Sequence, residues 1–170
     1  MSNVLVIGGG SIAEKHIFNL IKLKYIVYSF TSNKNFLKDN KDIKKIKSIN
    51  KVPDILFAII ANSTYKHLKF IETLAKKKIH IYCEKPIFHK KFNYLKLKNL
   101  LKKNNTHFFV GYQLLQDTKV KYLKEKLKKQ IIKSFVADVG HNYRVWRKNK
   151  VRKQSYYNNT SLGGGVIFEL

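Results

Sequence analysis

The chain has 170 residues, with 35 Lys or Arg against 10 Asp or Glu, giving a formal net charge of +25. Hydrophobic residues make up 44% and aromatics 13%, which excludes a disordered polycation, because enough apolar surface exists to offset ordering entropy. The longest apolar run, residues 55–61, is far too short to span a bilayer, and the one cysteine, Cys83, excludes an internal disulfide framework.

In chain order, residues 3–7 (NVLVI) form a β-branched apolar run ending in glycines, the pattern of a buried strand. Residues 11–23 switch to helical spacing, with Ile12, His16, Leu20 and Leu23 on one side. Ser11 and Glu14 fit a capping box, in which hydroxyl and carboxylate satisfy the first helical N–H groups. Residues 25–30 read as a second strand, and residues 54–60, introduced by Pro53, as a third. A helix is expected over 64–77, with Leu68, Ile71 and Ala75 apolar, then a strand over 79–83, a helix over 89–103 and a strand over 107–112. Residues 120–129 predict a basic amphipathic helix. Alternating strands and helices predict an α/β fold, a doubly wound parallel sheet with helices on both faces.

The pattern changes after Lys129. Residues 134–146 alternate in part (Phe135, Ala137, Val139 against Val136, Asp138), as expected of a strand in a different, antiparallel sheet of an α+β domain. A polar stretch follows, then Gly163-Gly164-Gly165 and the apolar residues 166–170. An apolar segment this near the last residue needs something to pack against, so a truncated protein is expected. The boundaries are then 1–115 for the parallel α/β domain and 116–170 for the incomplete start of a second domain. Met1-Ser2-Asn3 has neither the basic head nor the apolar segment of a secretory signal, so a cytoplasmic location and no membrane partner are expected.

The charge invites a nucleic-acid partner, since basic side chains release counterions from phosphates. Only Arg144, Arg147 and Arg152 are arginine, however, and arginine is the side chain that forks onto phosphate and guanine. The lysines run from Lys15 to Lys153 without gathering on one element. Abundant Lys, Asn, Ile, Phe and Tyr with scarce Ala, Arg and Pro is the bias of an AT-rich genome. Solvated lysine under codon bias therefore outweighs specific nucleic-acid binding, which is kept as an alternative.

Two motifs carry chemistry. Gly8-Gly9-Gly10-Ser11-Ile12-Ala13 fits G-x-G-x-x-A between strand and helix. Gly8 allows a tight turn, Gly10 lets the backbone approach a pyrophosphate, and Ala13 permits close helix–strand packing. The phosphates then meet the N–H groups of Ser11, Ile12 and Ala13 at the positive end of the helix. At the end of the second strand an acid would bond the ribose 2′-OH of NAD. Here the residues are Phe30-Thr31-Ser32-Asn33-Lys34, with no acid before Asp39. Hydroxyls and a lysine can receive a 2′-phosphate, so of NAD and NADP the second is favoured, with Ser32 and Asn33 at the cofactor. The second motif, Glu84-Lys85-Pro86, follows the strand ending at Cys83. It places Lys85 at the carboxyl edge of the sheet, where ligands of such folds bind.

These marks resemble the Gfo/Idh/MocA oxidoreductases. They are Gly8, Gly10 and Ala13; Asn62 with His67 in ANSTYKH; Glu84-Lys85-Pro86; Gly111-Tyr112; and Gly163-Gly164-Gly165, in the family's order across essentially the whole chain. The resemblance implies a homo-oligomeric protein of about twice this length, with a Rossmann domain for NAD(P) and an α/β domain with an open antiparallel sheet over the substrate. It implies hydride transfer between a sugar, sugar-nucleotide or polyol carbon and the nicotinamide. Lys85 is then the catalytic residue that handles the hydroxyl proton. Asn62 lies near the nicotinamide or its ribose, His67 supports that loop, Glu84 joins the cofactor-binding residues, and Gln113 lines the cleft. No metal is implied.

Two departures stand out. Leu115 and Thr118 occupy the region where the family often carries an arginine and then a proline. The catalytic histidine expected after the triple glycine is missing, because Glu169 matches the acidic position and Leu170 is the last residue. A non-catalytic dinucleotide-binding module is therefore the alternative to an enzyme. Trp146, Arg147, the Tyr156-Tyr157 pair and the final residues 166–170 resemble members acting on nucleotide-linked or surface-polysaccharide sugars.

Overall fold

The computed structural model describes residues 1–138 and 140. Six strands form one sheet: β1 (Asn3–Ile7), β2 (Ile26–Phe30), β3 (Ile43–Lys45), β4 (Phe57–Ile60), β5 (His80–Cys83) and β6 (Phe108–Val110). Their order is β3-β2-β1-β4-β5-β6, and every pairing is parallel. The helices are α1 (Ser11–Lys22), α2 (His67–Lys76), α3 (Tyr94–Lys103) and α4 (Thr118–Leu127). This is the doubly wound arrangement expected from the alternation.

The two-residue period of β1 sorts the core. Val4 and Val6 face one side, packed with Val27, Ile43, Ile59 and the α1 residues Ala13, Ile17 and Leu20. Leu5 and Ile7 face the other, packed with Ala58, Ile60, Ile81, the α2 residues Ile71, Leu74 and Ala75, and Leu97 of α3. Central strands buried on both faces read as continuous apolar runs, which is why NVLVI and FAII were legible.

Several expectations need correction. The buried stripe of α1 is Ala13, Ile17 and Leu20, spaced i, i+4, i+7, whereas Ile12 and Leu23 are exposed and His16 is half-buried. The capping box does not form. Gly10 is the N-cap and Ser11 is already helical, so no side chain caps the first turn. Strand β3 was missed because IKK carries only one apolar residue, and an edge strand needs no more. Helix α3 begins at Tyr94, not at residue 89, because the Asn93 side chain accepts from the Lys96 N–H at 2.9 Å and starts the helix there. Residues 134–138 are exposed and in no strand, since none of the described strands offers them a ladder. The remainder of that predicted strand, Trp146, Arg147, Tyr156, Tyr157, the triple glycine and residues 166–170 lie outside the described residues.

Candidate functional site

Five strands end level. Phe30, Ile7, Ile60, Cys83 and Val110 are in register across β2, β1, β4, β5 and β6. One more row of bonds extends the edge. Gly8 N–H donates to the Phe30 carbonyl (3.0 Å), Ala61 to Ile7 (2.8 Å), Glu84 to Ile60 (2.9 Å) and Gly111 to Cys83 (2.8 Å). Each motif found in the sequence therefore leaves the sheet from one edge, astride the β1/β4 position where the strand order reverses. In open parallel sheets that reversal opens the ligand crevice.

The glycines there are not equivalent. Gly8 has φ +149°, and a Cβ on it would lie 2.4 Å from the Ala61 carbonyl oxygen, so only glycine lets β1 turn against the end of β4. A Cβ on Gly10 would meet open space within 4 Å. That space lies over the start of α1, whose first turn has no side-chain cap. Unsatisfied N–H groups, the positive helix end and an open approach together make a cradle for a pyrophosphate, so the residues present fit a dinucleotide.

Residues after β2 brace this loop. The Asn33 side-chain amide donates to the Gly9 carbonyl at 3.3 Å, and the Asn33 N–H donates to Thr31 Oγ1 at 3.1 Å. Asn33 thus holds the glycine loop, while Ser32 and Lys34 are exposed at its side.

Asn62 and His67 sit between the loops after β4 and β5. The His67 ring is buried, with Nε2 2.9 Å from the Asn62 carbonyl oxygen and Nδ1 3.0 Å from the Pro86 carbonyl oxygen. The ring therefore stands between the loops that carry Asn62 and Lys85, and as a neutral imidazole it donates its one N–H to one of the two carbonyls. Burial pulls its pKa below the usual imidazole value, against the opposing pull of the carbonyls of Asn62 and Pro86 and of the Glu84 carboxylate. The buried Cys83 thiol lies 3.5 Å from Nδ1, and burial pushes its pKa strongly up, with Glu84 adding to the shift, so it stays protonated. Asn62 Oδ1 is buried without a hydrogen-bond partner. An orphaned buried acceptor beside the crevice suits a ligand hydroxyl or amide donor.

Glu84 accepts from His16 Nε2 at 2.7 Å, which ties the β5 loop to α1. The His16 ring stands edge-on to Tyr82, with centroids 5.5 Å apart. Burial raises the Tyr82 pKa, helped by Glu84 and Cys83. Lys85 is half-buried, and among the described residues every other lysine is exposed. The Lys85–Pro86 peptide bond is cis.

The structure therefore brings Gly8, Gly10, Ser11, Ile12, Ala13, Asn33, Asn62, His67, Glu84 and Lys85 to one edge of the sheet. Gln113 lies beyond β6 and is exposed. His16 and Tyr82 were not identified as site residues. The available signal was a histidine grouped with the apolar face of α1, where a ring with two polar nitrogens needs a partner. Among the described residues no group of three or more His, Cys, Asp or Glu is placed to hold a metal ion. No helix among them is long and apolar enough to cross a membrane.

A family model described as an oxidoreductase family with an NAD-binding Rossmann fold matches residues 2–112. None of the curated proteins matches the sequence. Among solved structures, the chain is similar to a "probable dehydrogenase" from Thermotoga maritima, at 25% identity and TM-score 0.66, over 74% of this chain and 40% of that one. It shares its fold with the WlbA dehydrogenase of Chromobacterium violaceum, solved with NADH and UDP-GlcNAcA, at 18% identity and TM-score 0.67, over 75% and 39%. It also shares it with apo scyllo-inositol dehydrogenase of Lactobacillus casei, at 18% identity and TM-score 0.65, over 75% and 43%. The match thus spans about two fifths of the length of these structures' chains.

Proposed function

The chain belongs to the Gfo/Idh/MocA oxidoreductase family, and from that membership we propose that it serves hydride transfer between a nicotinamide dinucleotide and a carbinol carbon of a sugar, sugar nucleotide or polyol. The observation that carries the reading is the meeting, at one sheet edge, of an open phosphate cradle with the one lysine among the described residues that is not exposed.

In this reading Ser11, Ile12 and Ala13 receive the pyrophosphate on their backbone N–H groups, and Gly10 leaves room for it. Asn62 offers its orphaned Oδ1 to the nicotinamide ribose or amide. The bound cofactor supplies a carbon that accepts or gives up hydride. Removing hydride from a carbinol leaves a hydroxyl proton to be moved, and Lys85 orients that hydroxyl and exchanges the proton. His67 fixes the loops carrying Asn62 and Lys85 and does not touch the reacting atoms. Ser32 and Lys34, with no acid before Asp39, favour a 2′-phosphate, hence NADP over NAD.

Residues 1–115 are proposed as the cofactor domain and residues 116–170 as the start of a substrate and oligomerisation domain. A cytoplasmic homo-oligomer acting on a small sugar-type molecule, with a role in surface-polysaccharide synthesis, completes the proposal. The test is turnover of NADP or NAD with sugars, polyols and nucleotide sugars by the wild type and by Lys85→Met. Reduction by the wild type, with loss of about 100-fold or more in the variant while cofactor affinity holds, supports catalysis. Cofactor binding without turnover on any of them favours the non-catalytic module.

A further inference from the structure

His16 and Glu84 are 68 residues apart in sequence and 2.7 Å apart in the fold. His16 lies on the second turn of α1, directly after the turn that offers free N–H groups. Glu84 is the first residue past β5 and precedes Lys85. Each side chain of the pair is about one fifth exposed, so the bond is partly withdrawn from water and is not part of the packed core. Tyr82 meets the His16 ring edge-on and limits its rotation. With Oε1 engaged by His16, Glu84 Oε2 is set on the side of Gly111, where a Cβ would stand 3.2 Å from it.

The β5 loop is thus held from both faces of the sheet. His67 of α2 seats its buried ring between the Asn62 and Pro86 carbonyls on one side, and His16 of α1 holds the Glu84 carboxylate from the other. Lys85 is the residue between the two. We propose that His16 is a positioning residue that locks the Glu84-Lys85 loop to the phosphate-binding helix, so that cofactor affinity depends on its bond to Glu84. The inference rests on the dinucleotide site proposed above. The pyrophosphate cradle and the carboxylate at the far end of the crevice then form one rigid unit, prepared before the ligand arrives.

The experiment measures dissociation constants of NADPH and NADH by ligand fluorescence for wild type, His16→Ala, His16→Gln, Glu84→Ala and the His16→Ala/Glu84→Ala double variant. Glutamine keeps an N–H at nearly the reach of Nε2. Expected are a loss of about tenfold in His16→Ala, recovery to within about twofold in His16→Gln, and a double variant no weaker than Glu84→Ala. Thermal midpoints of all variants within a few degrees of wild type separate this from general unfolding. Unchanged affinity in His16→Ala, no recovery in His16→Gln, or fully additive losses overturn the proposal. Failure of the wild type to bind either dinucleotide overturns the cofactor site and this inference together.

Discussion

The contrast between Gly8 and Gly10 separates a glycine needed for folding from one needed for a ligand. Gly8 turns with positive φ against the Ala61 carbonyl, so Gly8→Ala forces backbone to move and should cost about 2 kcal/mol or more of stability, measured by denaturant unfolding. Gly10 is extended, with φ −109° and ψ 179°, and faces open space, so Gly10→Ala should cost only the loss of a glycine N-cap, about 1 kcal/mol. The same methyl group should weaken dinucleotide binding by about tenfold or more, as read by titration. Both glycines were legible as a motif, but their different duties were not, because the strand end that crowds Gly8 lies 53 residues away. His67 gives a second test. Its ring is held neutral by burial, so its contribution to stability is full above the ordinary value of 6.5 and falls as the pH drops below it towards the lowered folded value. Thermal midpoints between pH 7.5 and 5.5 should fall in the wild type and flatten in His67→Gln (on the order of one pH unit either side of the imidazole range).

At the scale of elements, burial decides what each helix contributes. Helix α1 places Ala13, Ile17 and Leu20 against β1 and β2, and Ile17→Ala should destabilise by about 2–4 kcal/mol. Helix α4 has no buried residue among those described, so Leu123→Ala should leave the unfolding free energy within about 0.5 kcal/mol of wild type. Elements with a two-sided or one-sided apolar pattern could be read from the sequence: the central strands, α2 and the extent of α1. The missed features depend on neighbours. Strand β3 exists because β2 offers Val27, Tyr28 and Ser29 as a ladder, and its own residues announce little. On α1 the buried face takes Ala13 and Ile17 in place of Ile12 and His16 and keeps Leu20, because Ile12 and Ala13 are adjacent and both apolar and only the small Ala13 fits against the strand. The missing capping box follows from the same geometry. With the N-cap at Gly10, Ser11 lies one position too far along to cap.

For the molecule as a whole, the charge of +25 proved less informative than its distribution. Every described lysine except Lys85 is exposed, which is the pattern of a solvated surface with one lysine set apart. Association with nucleic acid should accordingly be weak, without sequence preference, and lost between about 0.05 and 0.2 M salt. Tight binding surviving that range would restore the nucleic-acid alternative. The candidate site was legible wherever a residue type is tied to a strand end, as at Gly8, Asn62 and Lys85. It was not legible where two side chains meet across the sheet, as His16 and Glu84 do, because no local pattern encodes that distance. The sheet edge from Gly8 to Glu84 is the proposed binding site of a nicotinamide dinucleotide. Titration of NADPH and NADH into the folded chain, followed by ligand fluorescence, tests it most directly. One saturable site, with NADPH bound more tightly and Gly10→Ala binding about tenfold or more weaker, is the predicted result; a folded chain that binds neither dinucleotide at millimolar concentration would contradict it.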